Sequence, residues 1–415
     1  MGICMGKKIA VIGGGAAGMM ASIQAALAGA QVELYERNNR VGKKLLSTGN
    51  GKCNFSNLNM DKTAYYGSAV DLYDELYAKF DVQDTIDFFS QQGMLIKNKN
   101  GYLYPLSEQA ATVLDVLRFG LNECGVSVYT DSIVEDIQIK DKIFIIGINN
   151  TDTGKAETKF FDAVILTCGG MAAPKTGSDG SGYKLAALLG HSVVEPVPAL
   201  VQLRCSEPFF KSVTGVRTEA VLRLYIDGKE EACVRGELQL TDYGISGIPV
   251  FQFSRQAAYA ILHKRKVTVD IDFLPDYRED EYKRLWEERW LRQAHMPLEQ
   301  MLTGLVNKKI NQLIIKLSGA KTLDTAGDVA EPIRRKIESL YRKLTVSVYA
   351  ANGFENAQVS AGGIPAKELT EDLESRLVPN LYFAGEIIDM DGICGGYNLQ
   401  WAWSSGAVAG RAAAK

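Results

Sequence analysis

Val11-Ile12-Gly13-Gly14-Gly15-Ala16-Ala17-Gly18 reads as an apolar strand entering a glycine turn and then a small-residue helix, and Val32-Glu33-Leu34-Tyr35-Glu36 follows as a second strand closed by an acid. The spacing has a geometric logic. Gly13 makes the tight strand-to-helix turn, Gly15 lets the backbone approach a pyrophosphate, and Gly18 allows the helix to pack closely on the strand. The unbonded amides at the helix start then face the phosphates. Glu36 is placed to accept hydrogen bonds from a ribose 2′-OH, and its charge repels a 2′-phosphate. An adenine dinucleotide, FAD or NAD, is therefore expected at the start of the chain.

The same segment has a rival reading. Lys7-Lys8, the apolar run and Ala28-Gly29-Ala30 look like the charged start, greasy core and small-residue cleavage site of a secretory signal. Three glycines in the middle weigh against it, because they weaken the short apolar helix a signal needs while a βαβ turn requires them. No other stretch approaches the ~18 uninterrupted apolar residues of a membrane helix, so the chain reads as soluble and cytoplasmic.

The 415 residues exceed what one hydrophobic core usually serves, which gives two or three structural units with room for a large cofactor. A net charge of -3 supplies no electrostatic reason for a nucleic-acid or anionic-lipid partner, so a small-molecule substrate is expected. The seven cysteines, at 4, 53, 124, 168, 205, 233 and 394, contain no CxxC pair, which argues against a dithiol centre or a cysteine zinc site. The histidines at 191, 263 and 295 have no ligand-spaced companions, and no metal is expected.

Along the chain, strand 8 to 12, helix 16 to 28 and strand 31 to 35 form one βαβ unit, followed by a glycine- and asparagine-rich loop from Gly42 to Asn57. Helical patterns near 69 to 79, 82 to 92 and 107 to 123 precede three alternating strands, Val126 to Tyr129, Ile133 to Ile139 and Ile143 to Ile148, with Asn149 to Gly154 as turn material. The apolar run Phe161 to Thr167 reads as a parallel strand ended by Cys168-Gly169-Gly170, with a helix over 180 to 189. From 192 to 275 the pattern alternates, and Asp227-Gly228 after Ala220 to Ile226 signals a hairpin. From 276 to 343 it is helical and charged, with Trp286 and Trp290 spaced as core anchors. Leu381-Tyr382-Phe383-Ala384 is a last buried strand, and a small-residue helix spans 397 to 413.

That far end separates a flavoprotein from a simple NAD dehydrogenase. FAD is long, so segments beyond the first βαβ unit must hold its ribityl chain and ring. Glu386, in Gly385-Glu386 after a buried strand, can bond ribityl hydroxyls, and the amides of the following helix can face the flavin pyrimidine. The loop 42 to 57 adds cations at Lys43, Lys44 and Lys52, with Gly49, Gly51 and neighbouring amides able to surround phosphate or the flavin edge.

Gly42-Lys43-Lys44-Leu45-Leu46-Ser47-Thr48-Gly49-Asn50-Gly51-Lys52-Cys53-Asn54-Phe55-Ser56-Asn57, Thr167-Cys168-Gly169-Gly170 with Thr176-Gly177-Ser178, Thr241-Asp242-Tyr243-Gly244-Ile245-Ser246-Gly247, and Gly385-Glu386 with Asp389, then Gly395-Gly396-Tyr397-Asn398-Leu399-Gln400, together carry a resemblance. The chain is similar throughout to the HI0933-like, or BaiN-type, family of FAD-dependent oxidoreductases. The resemblance implies an α/β, glutathione-reductase-like FAD-binding Rossmann domain over 1–190 and 345–415. It also implies an inserted β-barrel-like unit over 191–275, with part of 344–365, and a helical cap over 276–343. Thr48, Asn50, Lys52 and Ser56 replace commoner Ser, Gly, Arg and Thr, and Cys394 stands where a hydroxyl residue is frequent; Lys52 keeps the charge but loses the planar fork.

The expected FAD contacts are Gly13, Gly15, Ala16, Ala17, Gly18 and Glu36 in the first unit. Lys44, Leu45, Gly49, Asn50, Gly51 and Asn54 follow in the loop, then Val134, Thr167 and Gly169 midway. Gly385, Glu386, Gly396, Asn398 and Leu399 complete the set at the far end. Flavin chemistry needs hydride transfer at N5 and a group to handle a proton, for which Tyr243, Tyr397 and Asp389 are candidates, with Asp391 and Cys394 nearby. Cys53 is expected to pack against the cofactor and His191 to cap structure.

Three functions are open at this point. The first is an NAD(P)H-dependent reductase of an activated C=C bond, with 3-oxo bile acids or steroid enones implied by BaiN-type relatives. The others are an oxidase of a small amine such as aminoacetone, and a non-catalytic or redox-sensing flavoprotein. One dinucleotide fingerprint is visible, so the nicotinamide of NAD(P)H would visit the flavin transiently.

Overall fold

The computed structural model describes residues 6–415, so Cys4 lies outside the described residues. Two compact units emerge, one from the chain up to Val197 together with Ala357–Lys415, the other Pro198–Asn356.

The first unit is built on a five-stranded parallel sheet. In spatial order its strands are Leu381–Phe383 (β5), Ala163–Leu166 (β4), Lys8–Ile12 (β1), Gln31–Tyr35 (β2) and Ser127–Tyr129 (β3). Ile12 is level with Leu166 on one side and Tyr35 on the other, so the three central strands end together. Ile9, Ala10 and Val11 are fully buried, as a strand covered on both faces requires. Helix α1, Ala16–Leu27, lies against the final helix α2, Tyr397–Ala413. Their backbones touch: a Cβ on Gly406 would stand 2.6 Å from the Ala17 carbonyl oxygen, and one on Gly410 would stand 2.3 Å from that of Ala21. Glycine is obligatory at both places because any side chain would wedge the helices apart.

An antiparallel sheet of Ser132–Lys140, Ile143–Asn150 and Lys155–Phe161 flanks this core. Its third strand begins directly after the expected turn, and its first residues are exposed, so no apolar alternation marks it in the sequence. A hairpin of Ile96–Lys99 and Tyr102–Pro105 sits between the helices expected at 82 to 92 and 107 to 123.

The second unit contains a closed six-stranded barrel. Its order is Leu203–Cys205, Gly244–Ser246, Lys229–Leu240, Arg217–Ile226, Val267–Asp272 and Leu344–Ala351. Ile226 pairs with Lys229 around the expected hairpin, with Asp227 and Gly228 at φ 52° and 84°, the positive values a two-residue turn of this hand demands. The alternating pattern expected across 192 to 275 is interrupted by a helix, Ile248–Leu262. Pro249 opens it, and Val250, Phe253, Ala257 and Ala260 are buried at helical spacing against the barrel strands. Helices Glu279–Arg292, Lys308–Ser318 and Glu331–Arg342 share the barrel's apolar core rather than forming a separate one. Trp286 and Trp290 anchor it, 2% and 9% exposed, with ring centroids 6.0 Å apart.

Candidate functional site

The chain leaves β1 at the level where the parallel strands end, and there a cleft opens whose lining includes both the glycine turn at Gly13 and the far-end pair Gly385 and Glu386. Every residue lining it belongs to the first unit.

At one end stands the glycine turn. Gly13, at φ 107°, donates its N–H to the Tyr35 carbonyl at 2.8 Å, and a Cβ there would come within 2.6 Å of the Thr167 carbonyl oxygen. Thr167 Oγ1 lies 3.0 Å and 2.8 Å from the Ile12 and Gly13 carbonyls, tying β4 to the turn. Gly18 packs so tightly that a Cβ would stand 1.9 Å from Gly13 O, which is the close helix-strand approach expected of it. Gly15 faces open space, with no atom within 4 Å of where a Cβ would sit. It is also the N-cap of α1 and offers no side chain, so the first helical amides remain available to an anion.

Glu36 is 8% exposed and already engaged. Its Oε2 accepts from Gly14 N at 2.8 Å, and its Oε1 from Asn38 N at 2.8 Å and Asn38 Nδ2 at 2.6 Å. A carboxylate has about four lone-pair positions, so one is left for a ribose hydroxyl. The acid thus braces the glycine turn as well as facing the cleft.

At the opposite end Lys44 Nζ meets Glu386 Oε2 at 2.7 Å, while Glu386 Oε1 accepts from Ser360 N at 2.8 Å. Lys43 points the other way, reaching Asn38 Oδ1 at 3.3 Å beside Glu36. Gly396, at φ 91°, caps α2 without a side chain, so a second helix start presents free amides to the same cleft through Asn398 and Leu399. The Asn398 side chain is held in place, its Oδ1 accepting from Gly392 N and its Nδ2 donating to Gly392 O, both at 2.8 Å. Two uncapped helix starts, an open glycine backbone and a carboxylate at each end fit a long dinucleotide.

Of the expected contacts, Gly13, Gly15, Ala16, Ala17 and Glu36 line the cleft, as do Lys44, Leu45, Val134, Thr167 and Gly169. So do Gly385, Glu386, Asn398 and Leu399. Gly49, Asn50 and Gly51 do not; they form an exposed turn with φ 55°, 53° and 84°, and Gly18, Asn54 and Gly396 are not part of the lining either. Lys52 also turns away, 3.7 Å from Glu108, which Lys97 and Lys99 already hold. Unexpected lining comes from Arg37, Ser132, Ser178, Gln358, Met390 and Trp401. Ser178 alone of these belonged to a quoted motif. Gln358 carries no motif at all.

The proton-handling candidates have different surroundings. Asp389 is buried and accepts from Ser68 N at 2.9 Å through Oδ2, while its carbonyl takes Ala69 N, so it caps the turn Ser68–Leu72. Tyr397 donates its hydroxyl to Asn59 O at 3.2 Å, and burial pushes its phenol above the ordinary range. Tyr243, in the barrel unit, accepts from Asn352 Nδ2 at 3.0 Å and lies beneath the Arg204 guanidinium at 4.9 Å. Asp391 is buried in a short bridge opposite Tyr66.

Burial raises the Cys53, Cys168 and Cys394 thiols to about 12, leaving negligible thiolate at neutral pH. His191 is enclosed by Glu368 at Nδ1 and Ser375 at Nε2, both 2.8 Å, and serves to fasten the 366–375 segment. Among the described residues no group of three His, Cys, Asp or Glu is placed to hold a metal ion, and no helix is long and apolar enough to cross a membrane.

Comparison with known proteins places this architecture. The model of the HI0933-like protein Rossmann domain matches residues 7–412. A 3-dehydro-bile acid delta(4,6)-reductase from Clostridium scindens is 39% identical over 414 residues, covering 99% of each chain. A ribosomal RNA dihydrouridine synthase from Escherichia coli is 29% identical over 400 residues, covering 95% of each. A solved 3-ketosteroid-delta4-(5alpha)-dehydrogenase from Rhodococcus jostii RHA1 shares the fold, with a TM-score of 0.50 and 16% identity over 99% of this chain and 97% of that one. With a family model spanning nearly its whole length and a full-length relative at this identity, the chain belongs to the HI0933-like Rossmann-domain family.

Proposed function

We propose that this chain is an FAD-dependent oxidoreductase that reduces a C=C bond conjugated to a carbonyl, with a 3-oxo bile acid or related steroid enone as substrate and NAD(P)H as the transient electron donor. The observation that carries it is the single cleft joining the glycine turn and Glu36 to the Lys44–Glu386 pair and the start of α2, a span suited to FAD. The similarity to a bile acid reductase along the full chain supports the reaction class. The dihydrouridine synthases, more distant at 27% and 29%, are named for a product that is likewise a reduced ring. Neither relative favours the amine-oxidase or redox-sensor readings. A cytoplasmic setting accords with a donor such as NAD(P)H.

When bound and reduced by NAD(P)H, FAD would supply a hydride to the electron-poor β-carbon of the enone, and a proton would complete the new C–H bond at the α-carbon. The protein's part is binding and orientation. The α1 amides and Gly15 backbone take the pyrophosphate, and Glu36 fixes the adenosine ribose. Glu386, held by Lys44 and Ser360 N, has lone pairs left for ribityl hydroxyls, and the amides at the start of α2 offer positive potential to the pyrimidine edge.

The test is anaerobic. Purified protein should be yellow, bleach on addition of NADH or NADPH, and recover its colour on addition of a 3-oxo-4,6-diene steroid but not of aminoacetone or oxygen-free buffer. Recovery with uridine-containing RNA and not with the steroid would move the substrate to the second relative's class. Bleaching by aminoacetone alone, or folded protein that cannot be reconstituted with FAD, would defeat the proposal.

A further inference from the structure

The wall of the cleft contains a polar group that the chain itself leaves unused. Ser178 is 6% exposed, lines the cleft, and its Oγ has no hydrogen-bond partner. A buried hydroxyl without a partner is costly and uncommon, and an absent ligand is one of the standard reasons for it. Gly169, at φ 73°, lies directly beside it, and a Cβ there would come 2.8 Å from Ser178 Oγ. A larger residue at 169 would fill the space in front of the hydroxyl.

The loop that carries Ser178 is fastened from the strand end that carries Glu36. Asn38 Nδ2 donates to Thr176 O at 2.9 Å, and Arg37 Nη1 pairs with Asp179 Oδ2 and reaches Ser181 Oγ at 3.3 Å. Thr176, Gly177, Ser181 and Arg37 all line the cleft with Ser178. Residues 36–38 therefore supply both the ribose acid and the clamp on the loop opposite.

We propose that Ser178 is a dinucleotide-binding residue: its hydroxyl bonds a ribose or phosphate oxygen of the adenosine half, and residues 173–180 form a strap, latched by Arg37 and Asp179, that retains the cofactor. The inference rests on the FAD reading above. It predicts a clean separation between folding and binding, because no protein group depends on the Ser178 hydroxyl.

The experiment compares wild type, Ser178→Ala and Asp179→Asn, each stripped of flavin and titrated with FAD. Ser178→Ala should melt like wild type without FAD, bind FAD about 5- to 10-fold more weakly, as loss of one hydrogen bond implies, and show a smaller FAD-induced rise in melting temperature. Asp179→Asn keeps the oxygen that accepts from Ser181 N but loses the ion pair. It should release FAD several-fold faster, read as fluorescence regained on dilution. Unchanged affinity in the first variant and unchanged release in the second would overturn the proposal while leaving the FAD assignment standing. Wild-type protein that takes up no FAD would remove both.

Discussion

Replacing Glu36 by Gln probes the cleft with a change of one atom type. The carboxylate accepts three hydrogen bonds, one from Gly14 N and two from Asn38, while nearly buried. A glutamine amide has one accepting oxygen and one donating nitrogen, so it cannot satisfy both groups. The least costly orientation keeps the oxygen on the two Asn38 donors and turns the NH₂ toward Gly14 N–H, donor against donor. A buried N–H then loses a bond to a charged acceptor, which costs about 2 kcal/mol. For a unit of this size that is about 4–8 °C in melting temperature. Because the orphaned amide belongs to the phosphate-binding turn, FAD affinity should also fall by about tenfold or more. Scanning calorimetry of flavin-free and flavin-loaded protein measures the first effect, and flavin titration the second. A variant that melts within about 1 °C of the parent in both states, with unaltered affinity, would refute the bracing role assigned to Glu36.

Gly410→Leu should lower the melting temperature by about 10 °C or more or abolish soluble expression, since its Cβ would already stand 2.3 Å from a backbone oxygen of α1; a variant melting like the parent would contradict the helix contact. Lys44→Met leaves the Glu386 carboxylate with only Ser360 N among its two observed partners and should weaken FAD binding by about tenfold in a fluorescence titration. Thiol labelling at pH 8 should modify exposed Cys233 and spare Cys53 and Cys168. Their thiols sit at about 12, and thiolate appears only as pH rises toward that value. Mass spectrometry of folded and urea-unfolded protein distinguishes these sites, and labelling of folded Cys53 would contradict its burial.

What could be read from the sequence was local. The turn at Gly13 to Gly18, the acid closing β2, the Asp227-Gly228 hairpin and the helix 397 to 413 each declare themselves within one short window, where spacing and backbone geometry are linked. What could not be read was either exposed or assembled from afar. The strand Lys155–Phe161 is exposed along its first four residues, so no period marks it, and nothing was assigned between the turn ending at Gly154 and Phe161. The helix Ile248–Leu262 was hidden because it falls between the strands Gly244–Ser246 and Val267–Asp272 within a stretch read as alternating. Lys52 carried the charge expected of a phosphate-facing loop, but three consecutive positive-φ residues, Gly49 to Gly51, swing it toward Glu108 instead. Ser132 and Gln358 enter the cleft only because distant segments converge there.

The backbone contact between α1 and α2 bears on when this protein can acquire its coenzyme. Ala16 and Ala17 line the same cleft as Asn398, Leu399 and Trp401, which come far later in the chain. The Gly406 and Gly410 seats on Ala17 and Ala21 hold these two segments together. A chain truncated before residue 397 would keep the phosphate turn but lose Asn398, Leu399 and Trp401 from the cleft lining, so full flavin affinity is expected only with both helices in place.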